Sequence, residues 1–156
     1  IRLARHINDY MPFHMAGLII GGLKELGVKL LEAKVSLLGV AYLEDSDDTR
    51  NSPAFSLVEE LRNEDIHLVA HDPHVRPADF SCMPLTRSIE EALRDADCMA
   101  IITRHSEYLR LDLPLARRLM RTPFIVDGRN VISQELAQSL GFLYRGIGKG
   151  KSVTNI

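Results

Sequence analysis

A strand, a loop and a helix follow one another in residues 35–63, VSLLGVAYLEDSDDTRNSPAFSLVEELRN. The continuous apolar run at 35–40 is typical of a strand that is buried on both faces of a sheet. Ser52 and Pro53 are residue types that helices prefer at the N-cap and first-turn positions, so the pattern predicts a helix over 53–63. A buried strand followed by a helix is the repeating unit of a parallel sheet.

The same alternation continues along the rest of the chain. Further strands are predicted at 66–70, 98–103, 124–126 and 142–144, and further helices at 88–95, 113–120 and 133–140. This order predicts an α/β fold, with a Rossmann-like parallel sheet of about five strands, helices on both faces and right-handed crossovers. A long N-terminal helix over residues 1–27 precedes the first strand, and Pro12 predicts a kink or a restart within it.

Composition restricts the classes of protein to which the chain can belong. Of its 156 residues, 46% are hydrophobic and 26% charged, which fits a globular domain and excludes a disordered or collagen-like chain. The net charge of −2 argues against a nucleic-acid-coating protein, because counterion release needs a basic excess. Apolar runs are too short to span a membrane, and Cys82 and Cys98 form no metal motif. We therefore expect a reducing, cytoplasmic setting with neither nucleic acid nor a membrane as partner.

Polar residues concentrate after the predicted strands, where the ligands of a parallel sheet bind. The loop at 41–53, AYLEDSDDTRNSP, contains four carboxylates, Arg50 and the start of a capped helix. Three interpretations stay open: a divalent cation site, a solvated acidic turn, or a rigid ligand-binding loop. We favour the third, in which Asp48 and Arg50 brace the loop and the N–H groups after Ser52 form an anion pocket.

Three further clusters follow strands. DGRN at 127–130 presents Arg129, whose guanidinium either contacts phosphate or sugar oxygens or is an ordinary surface group. HDPHV at 71–75 is interpreted as a turn rather than a metal site, and TRHSEY at 103–108 as a helix-start loop rather than a nucleophilic triad. Neither GxGxxG nor the full P-loop pattern GxxxxGK[ST] occurs, so the dinucleotide fingerprint and the P-loop are missing. No catalytic or metal-binding residue is assigned.

Several segments, taken in order, resemble the UDP-glucose/GDP-mannose dehydrogenase family. They are INDYMP at 7–12, LLGVAYLEDSDDTRNSP at 37–53, HDPHV at 71–75, ADCMAIITRHSEY at 96–108, FIVDGRN at 124–130 and GFLYRGIGKG at 141–150. Together they cover nearly the whole chain. The INDYMP and DDTRNSP segments resemble most the branch of the family that acts on UDP-N-acetylmannosamine.

The resemblance implies that the chain is a piece of a larger enzyme of nucleotide-sugar metabolism and polysaccharide biosynthesis. That enzyme would oxidise the C6 alcohol of a UDP-sugar to a carboxylate in two NAD-dependent steps. Residues 1–33 would be the end of a central helix that forms a homodimer, and residues 34–156 would bind the UDP-sugar. NAD would bind a separate N-terminal domain, and the catalytic cysteine would lie upstream of the central helix. This chain alone would therefore hold no cofactor and be inactive.

The resemblance also implies roles for single residues. Tyr42 would lie at the mouth of the UDP site, Arg129 would reach the substrate, and Asp48 and Arg50 would brace the loop. Leu43 occupies a position at which the family usually has a substrate-contacting lysine, and leucine supplies no charge. Leu43 thus favours an alternative, a degenerate non-enzymatic module for nucleotide binding, dimerisation or regulation. A second alternative is a phosphoacceptor domain of flavodoxin-like topology that binds Mg²⁺ in its acidic loop.

Overall fold

The structure of the chain, a computed structural model, describes residues 2–148 and the side chains of residues 9–148. Residues 149–156, which belong to the predicted domain at 34–156, lie outside the described residues. Within the described range the elements in order are α1 Arg2–Glu25, β1 Lys34–Leu38, α2 Pro53–Arg62, β2 His67–His71, β3 Leu85–Thr86, α3 Ile89–Leu93, β4 Cys98–Ile101, α4 Leu113–Leu119, β5 Phe124–Asp127, α5 Gln134–Ser139 and β6 Leu143–Gly146. Short 3₁₀ helices lie at Leu30–Glu32, Pro77–Asp79 and Ser106–Arg110.

The strands form one parallel sheet in the order β3-β2-β1-β4-β5-β6. The chain moves outward from β1 to β3, returns to the other side of β1, and then continues outward from β4 to β6. At the centre, Val35 of β1 pairs with Cys98 of β4, and Leu38 pairs with Ile101. This is the order of a doubly wound sheet, whose ligand crevice opens at the carboxyl ends of β1 and β4, where the strand order reverses.

The predicted fold class is confirmed, and the predicted helices and strands lie within two residues of the observed bounds. The sequence did not predict β3, because two residues, Leu85 and Thr86, are too few to show a period. The predicted restart at Pro12 is wrong, since α1 runs unbroken through it. Met15, Ile19 and other residues of the following turns are buried against the sheet, and this packing favours one continuous helix.

Two groups of helices cover the two faces of the sheet. The first face carries α1 and α2, whose buried side chains share a core with residues of β1, β2, β4 and β5: Ile19, Leu23, Leu57, Leu61, Leu37, Ala100 and Phe124. The second face carries α3, α4 and α5, with a core that includes Leu38, Met99, Ile101, Leu93, Leu113, Ala137 and Tyr144. In the described part of the chain, no helix is both long and apolar enough to cross a membrane.

Helix α1 covers part of the sheet that the crossover helices leave bare. The crossovers through α3, α4 and α5 lie on the second face, so the first face of β4 and β5 is covered by Met15 and Leu23 of α1. Gly22 contacts Phe124 at the start of β5, whereas Met15 lies near Gly128 just after its end. α1 therefore runs antiparallel to β5, and its first turns extend past the carboxyl edge of the sheet. The division at residue 33 stays a prediction.

Alanine substitution at two adjacent glycines tests how closely α1 packs on β5. A Cβ added at Gly22 would overlap the ring of Phe124, whereas a Cβ at Gly21 would meet nothing within 4 Å. Gly22→Ala is expected to lower the free energy of unfolding by about 2 kcal/mol through overpacking. Gly21→Ala is the matched control and is expected to raise it by up to about 1 kcal/mol, because alanine is the better helix former. Urea unfolding measures both, and equal effects would contradict the close contact.

Candidate functional site

The candidate site lies at the carboxyl edge of the sheet, where the chain leaves β1 and β4. Gly39 has a φ of +84°, and a Cβ added there would lie 2.6 Å from the Cβ of Thr103. The Thr103 hydroxyl donates a hydrogen bond to the carbonyl oxygen of Ala41 at 2.7 Å. The ends of β1 and β4 are therefore in direct contact at the reversal of strand order, which is possible because Gly39 has no side chain.

A buried carboxylate, Asp72, fixes this junction from the end of β2. It accepts hydrogen bonds from the backbone N–H groups of Val40, Ala41, His74 and Val75 and from the ring of His105. Burial by itself raises the pKa of Asp72, but the hydrogen bonds, foremost that from His105, outweigh it and lower the pKa to about 2. Asp72 is therefore ionised at neutral pH. Its contacts with residues 74 and 75 make HDPHV the turn that the sequence predicts.

His105 connects Asp72 to the loop that follows β1. Its Nε2 lies 2.9 Å from Oδ2 of Asp72, and its Nδ1 accepts the backbone N–H of Asp45 at 2.9 Å. Because Nδ1 is an acceptor, the ring proton lies on Nε2 and is donated to Asp72. The carboxylate of Asp45 accepts hydrogen bonds from the hydroxyl and backbone N–H of Ser106, which lower the pKa of Asp45. His105 and Ser106 thus hold the first half of the loop against the end of β4.

One group of side chains has the spacing of a metal site. Asp45, His74 and His105 each place a ligand atom within 4.8 Å of the others. Both ring nitrogens of His105 are already hydrogen-bonded, so its lone pair is not available to a metal. Asp48, another carboxylate of the acidic loop, is paired with Arg50. His105 and Asp48 therefore offer no free ligand atom to a cation. Glu44 and Asp47 make no hydrogen bond in the described range, so the Mg²⁺-binding alternative for the acidic loop stays a prediction.

Asp48, Arg50 and Ser52 lie together in the second half of the loop. Arg50 donates from Nε and Nη2 to the two carboxylate oxygens of Asp48, at 2.9 and 2.7 Å. The Arg50 side-chain hydrogen bonds lower the pKa of Asp48 to about 2. The carbonyl oxygen of Asp48 accepts the N–H of Tyr42 at 2.8 Å, which closes the loop, and Ser52 caps α2 by accepting the N–H of Ala54 at 3.2 Å. Their predicted role as a brace for substrate binding stays a prediction.

Tyr42, Leu43 and Arg129 are exposed on two sides of the crevice. Tyr42 and Leu43, in the loop after β1, are 51% and 60% exposed. Arg129 is exposed in the turn after β5, and its guanidinium makes no hydrogen bond or ion pair with residues 9–148, whose side chains the structure describes. Because β4 lies between β1 and β5, loop and turn start about 10 Å apart. Tyr42 and Arg129 therefore lie on either side of the end of β4, where the strand order predicts the ligand crevice.

Asp127 holds the turn that carries Arg129. Its buried carboxylate accepts hydrogen bonds from the backbone N–H groups of Arg129, Val131 and Ile132 and from the hydroxyl of Tyr144. Gly128 donates its N–H to the carbonyl oxygen of Ile101 at 3.0 Å, and a Cβ at Gly128 would lie 2.8 Å from that oxygen. The turn therefore lies directly against the end of β4, and the backbone position of Arg129 is fixed.

Neither cysteine is arranged as a nucleophile. Cys98 is fully buried in β4, and this burial raises the pKa of its thiol well above the ordinary value. Cys82 is half-buried, and its pKa is also raised by burial. A reactive thiolate needs a lowered pKa, so this chain offers no activated cysteine among its described residues.

The loop after β1 does not fit the pyrophosphate of a dinucleotide. The N–H groups of Val40 and Ala41 donate to Asp72, and Thr103 fills the space beside Gly39. A dinucleotide site needs free N–H groups and a close backbone approach at this point. These residues therefore do not supply a site for NAD, and we assign them no role in hydride transfer.

Sequence reasoning placed Asp127 in the turn that presents Arg129, but it gave Asp72, Thr103 and His105 no part in shaping the site. Asp72 directly follows β2, Thr103 and His105 lie two and four residues after β4, and Asp127 ends β5. Their shared place at the carboxyl edge was a usable signal. Asp72 and His105 are 33 positions apart, and His105 and Asp45 are 60 apart. No short motif reveals pairings over such distances.

A doubly wound parallel sheet with this crevice and a free guanidinium at its carboxyl edge defines a Rossmann-like ligand-binding domain. Residues 36–134 match the UDP binding domain of the UDP-glucose/GDP-mannose dehydrogenase family. The chain belongs to this family, and the resemblance found in its sequence motifs is confirmed.

Relatives named as nucleotide-sugar dehydrogenases match nearly the whole chain. A UDP-N-acetyl-D-mannosamine dehydrogenase from Pyrococcus horikoshii is 39% identical over 150 residues, which cover 96% of this chain and 34% of the relative. The solved structure of a UDP-D-ManNAc dehydrogenase from the same organism has a TM-score of 0.85 at 38% identity, over 96% of this chain and 34% of that one. An NDP-N-acetyl-D-galactosaminuronic acid dehydrogenase structure from Methanosarcina mazei has a TM-score of 0.89 at 35% identity, over 96% and 31%. The chain thus spans about a third of the length of these relatives.

Proposed function

We propose that this chain is the UDP-sugar-binding part of an NAD-dependent UDP-sugar 6-dehydrogenase. The whole enzyme would oxidise the C6 alcohol of its substrate to a carboxylate. UDP-N-acetylmannosamine is the proposed substrate, because relatives that match nearly all of this chain are named for it. The observation that carries the proposal is Arg129, exposed and unpaired beside the crevice of a domain that belongs to a UDP-binding family.

In this proposal the chain binds and orients the substrate and takes no part in the chemical step. Arg129 offers a planar guanidinium suited to the oxygens of the diphosphate. Tyr42 supplies an exposed ring against which the uracil or the sugar packs. Asp127 and Asp72 are positioning residues, since they hold the backbone of the Arg129 turn and of the Tyr42 loop.

The remaining parts of the proposal concern partners of the chain. We place NAD on a separate N-terminal domain and the enzyme in the cytoplasm, with a role in polysaccharide biosynthesis. We also propose a homodimer through α1. Tyr10 and Phe13, with ring centroids 6.4 Å apart, are exposed on this helix, and they support the dimer because exposed aromatic pairs are typical of interfaces.

Titration of the isolated chain with UDP, followed by NMR, tests the proposed function. Shifts are expected at the amides of residues 41–53 and around Arg129. Arg129→Gln is expected to weaken UDP binding about tenfold, because it removes a charge-assisted hydrogen bond to phosphate. Arg118→Gln is the control, since Arg118 is exposed in the last turn of α4 and residues after it reach the amino edge of β4.

The second candidate function, a degenerate non-enzymatic module, is favoured by one observation, the exposed and uncharged Leu43. If wild-type amides do not shift at millimolar UDP, the dehydrogenase proposal fails and the module is the better account. If UDP binds, Leu43→Lys is expected to strengthen binding severalfold, because it adds a positive charge beside the crevice.

A further inference from the structure

We infer that Arg104 is a second phosphate-binding residue of the proposed UDP site, which contacts the diphosphate from the end of β4, next to Arg129. This inference rests on the proposed function and concerns the same site. Neither Arg104 nor any other residue after β4 was assigned a binding role from the sequence.

Hydrogen bonds on both sides of Arg104 fix its position next to the loop after β1. Thr103, which precedes it, donates to the carbonyl oxygen of Ala41 at 2.7 Å. His105, which follows it, accepts the N–H of Asp45 at 2.9 Å. Residues 103–105 and 41–45 therefore lie side by side, and Arg104 lies opposite the segment that contains Tyr42 and Leu43.

The turn after β5 borders the other side of Arg104. Asp127 pairs with Ile101, and Gly128 donates its N–H to the carbonyl oxygen of Ile101, only three positions before Arg104. β4 lies between β1 and β5 in the sheet. Arg104 thus follows the end of β4 and lies between the Tyr42 loop and the Arg129 turn, at the centre of the crevice.

The guanidinium of Arg104 is free, although the loop beside it is acidic. Arg104 is exposed and makes no hydrogen bond or ion pair within residues 9–148, the part of the chain whose side chains are described. Two nearby carboxylates are already satisfied, because Asp45 accepts from Ser106 and Asp48 is paired with Arg50. The charge of Arg104 therefore remains available to an anionic ligand.

Other arginines that follow strands at this edge are paired or distant. Arg50 is paired with Asp48, and Arg76 with Asp79. Arg87 follows the outermost strand β3, three strand spacings or about 14 Å from β4. Arg104 and Arg129 are thus the two unpaired guanidinium groups that the described chain places beside the central crevice. A nucleoside diphosphate carries negative charge on each phosphate, so two guanidinium groups match its charge.

Arg104→Gln tests this inference in the isolated chain, by NMR titration with UDP and with uridine. UDP binding is expected to weaken about five- to tenfold, while uridine binding stays within about twofold of the wild type, because only UDP carries phosphates. The loss should shrink as NaCl is added, because salt screens the interaction of the exposed charge in the wild type. Arg104→Lys should restore part of the UDP affinity, and Arg118→Gln is again the matched control.

The possible results of these titrations distinguish a failure of the inference from a failure of the proposed function. If the wild type binds no UDP, both fail. If Arg129→Gln weakens UDP binding while Arg104→Gln binds UDP as the wild type does, the proposed function stands and Arg104 has no role in it. If Arg104→Gln weakens UDP and uridine equally, Arg104 supports the loop rather than contacting phosphate, and the inference is overturned.

Discussion

Asp72→Asn is expected to lower the free energy of unfolding by about 3–5 kcal/mol. The carboxylate of Asp72 accepts every hydrogen bond it makes, from four backbone N–H groups and the His105 ring. An asparagine amide would turn a donor toward some of these donors and leave them buried without an acceptor. Chemical unfolding at neutral pH measures the loss. Asp47→Asn is the control, because Asp47 is exposed and makes no hydrogen bond in the described range, and an equal effect of both changes would contradict the prediction.

The effect of Asp72→Asn should also depend on pH. The pKa of Asp72 in the folded chain is about 2, below the ordinary value of 3.8. A carboxylate with a lowered pKa stabilises the fold above its ordinary pKa, and this contribution is lost as pH falls through the folded pKa. The difference in stability between wild type and variant should therefore be constant above about pH 5 and shrink between about pH 4 and pH 2. A difference that does not change over this window would show that the charge of Asp72 is not responsible.

Gly39→Ala is expected to lower the free energy of unfolding by about 3–4 kcal/mol and to abolish measurable UDP binding. Part of the loss comes from the φ of +84°, which costs a residue with a Cβ about 1–2 kcal/mol. The rest comes from overpacking, because the new Cβ would lie 2.6 Å from the Cβ and 2.9 Å from the backbone nitrogen of Thr103. Separation of β4 from β1 would also displace the Tyr42 loop.

Alanine substitution at a second glycine measures the conformational part of the stability loss by itself. Gly27 has a φ of +73°, but a Cβ there would meet nothing within 4 Å. Gly27→Ala should therefore cost only the conformational part, about 1 kcal/mol. Urea unfolding of both variants measures the difference, and equal losses would show that the contact of Gly39 with Thr103 contributes nothing.

The fold was predictable because its signals are local. The apolar run at 35–40 and the Ser52-Pro53 cap each lie within a few residues, and each corresponds to an element of the structure. The short strand β3 was not predictable in the same way, since Leu85 and Thr86 owe their conformation to pairing with β2. α1 was predicted as a helix, but its place over β4 and β5 is a tertiary property that a stripe of apolar residues does not reveal.

The candidate site was predictable only in part. The carboxyl edge and the exposed Arg129 followed from the strand pattern, whereas the network of Asp72, His105 and Asp45 joins three segments far apart in sequence. Arg104 illustrates the limit of local reasoning. Its neighbours in TRHSEY suggest only a loop, and its place in the crevice follows from β4 lying beside β1.

The position of α1 has a consequence for the order of events during synthesis. The ribosome makes this amphipathic helix before the strands that it covers, and Phe124, the residue that Gly22 contacts, emerges about a hundred residues later. Until then the apolar stripe of α1 has only part of its binding surface, and a nascent chain in this state can associate with other chains or with chaperones. Contacts of such long sequence range also slow folding, so the docking of α1 onto β5 should be among the last steps to complete.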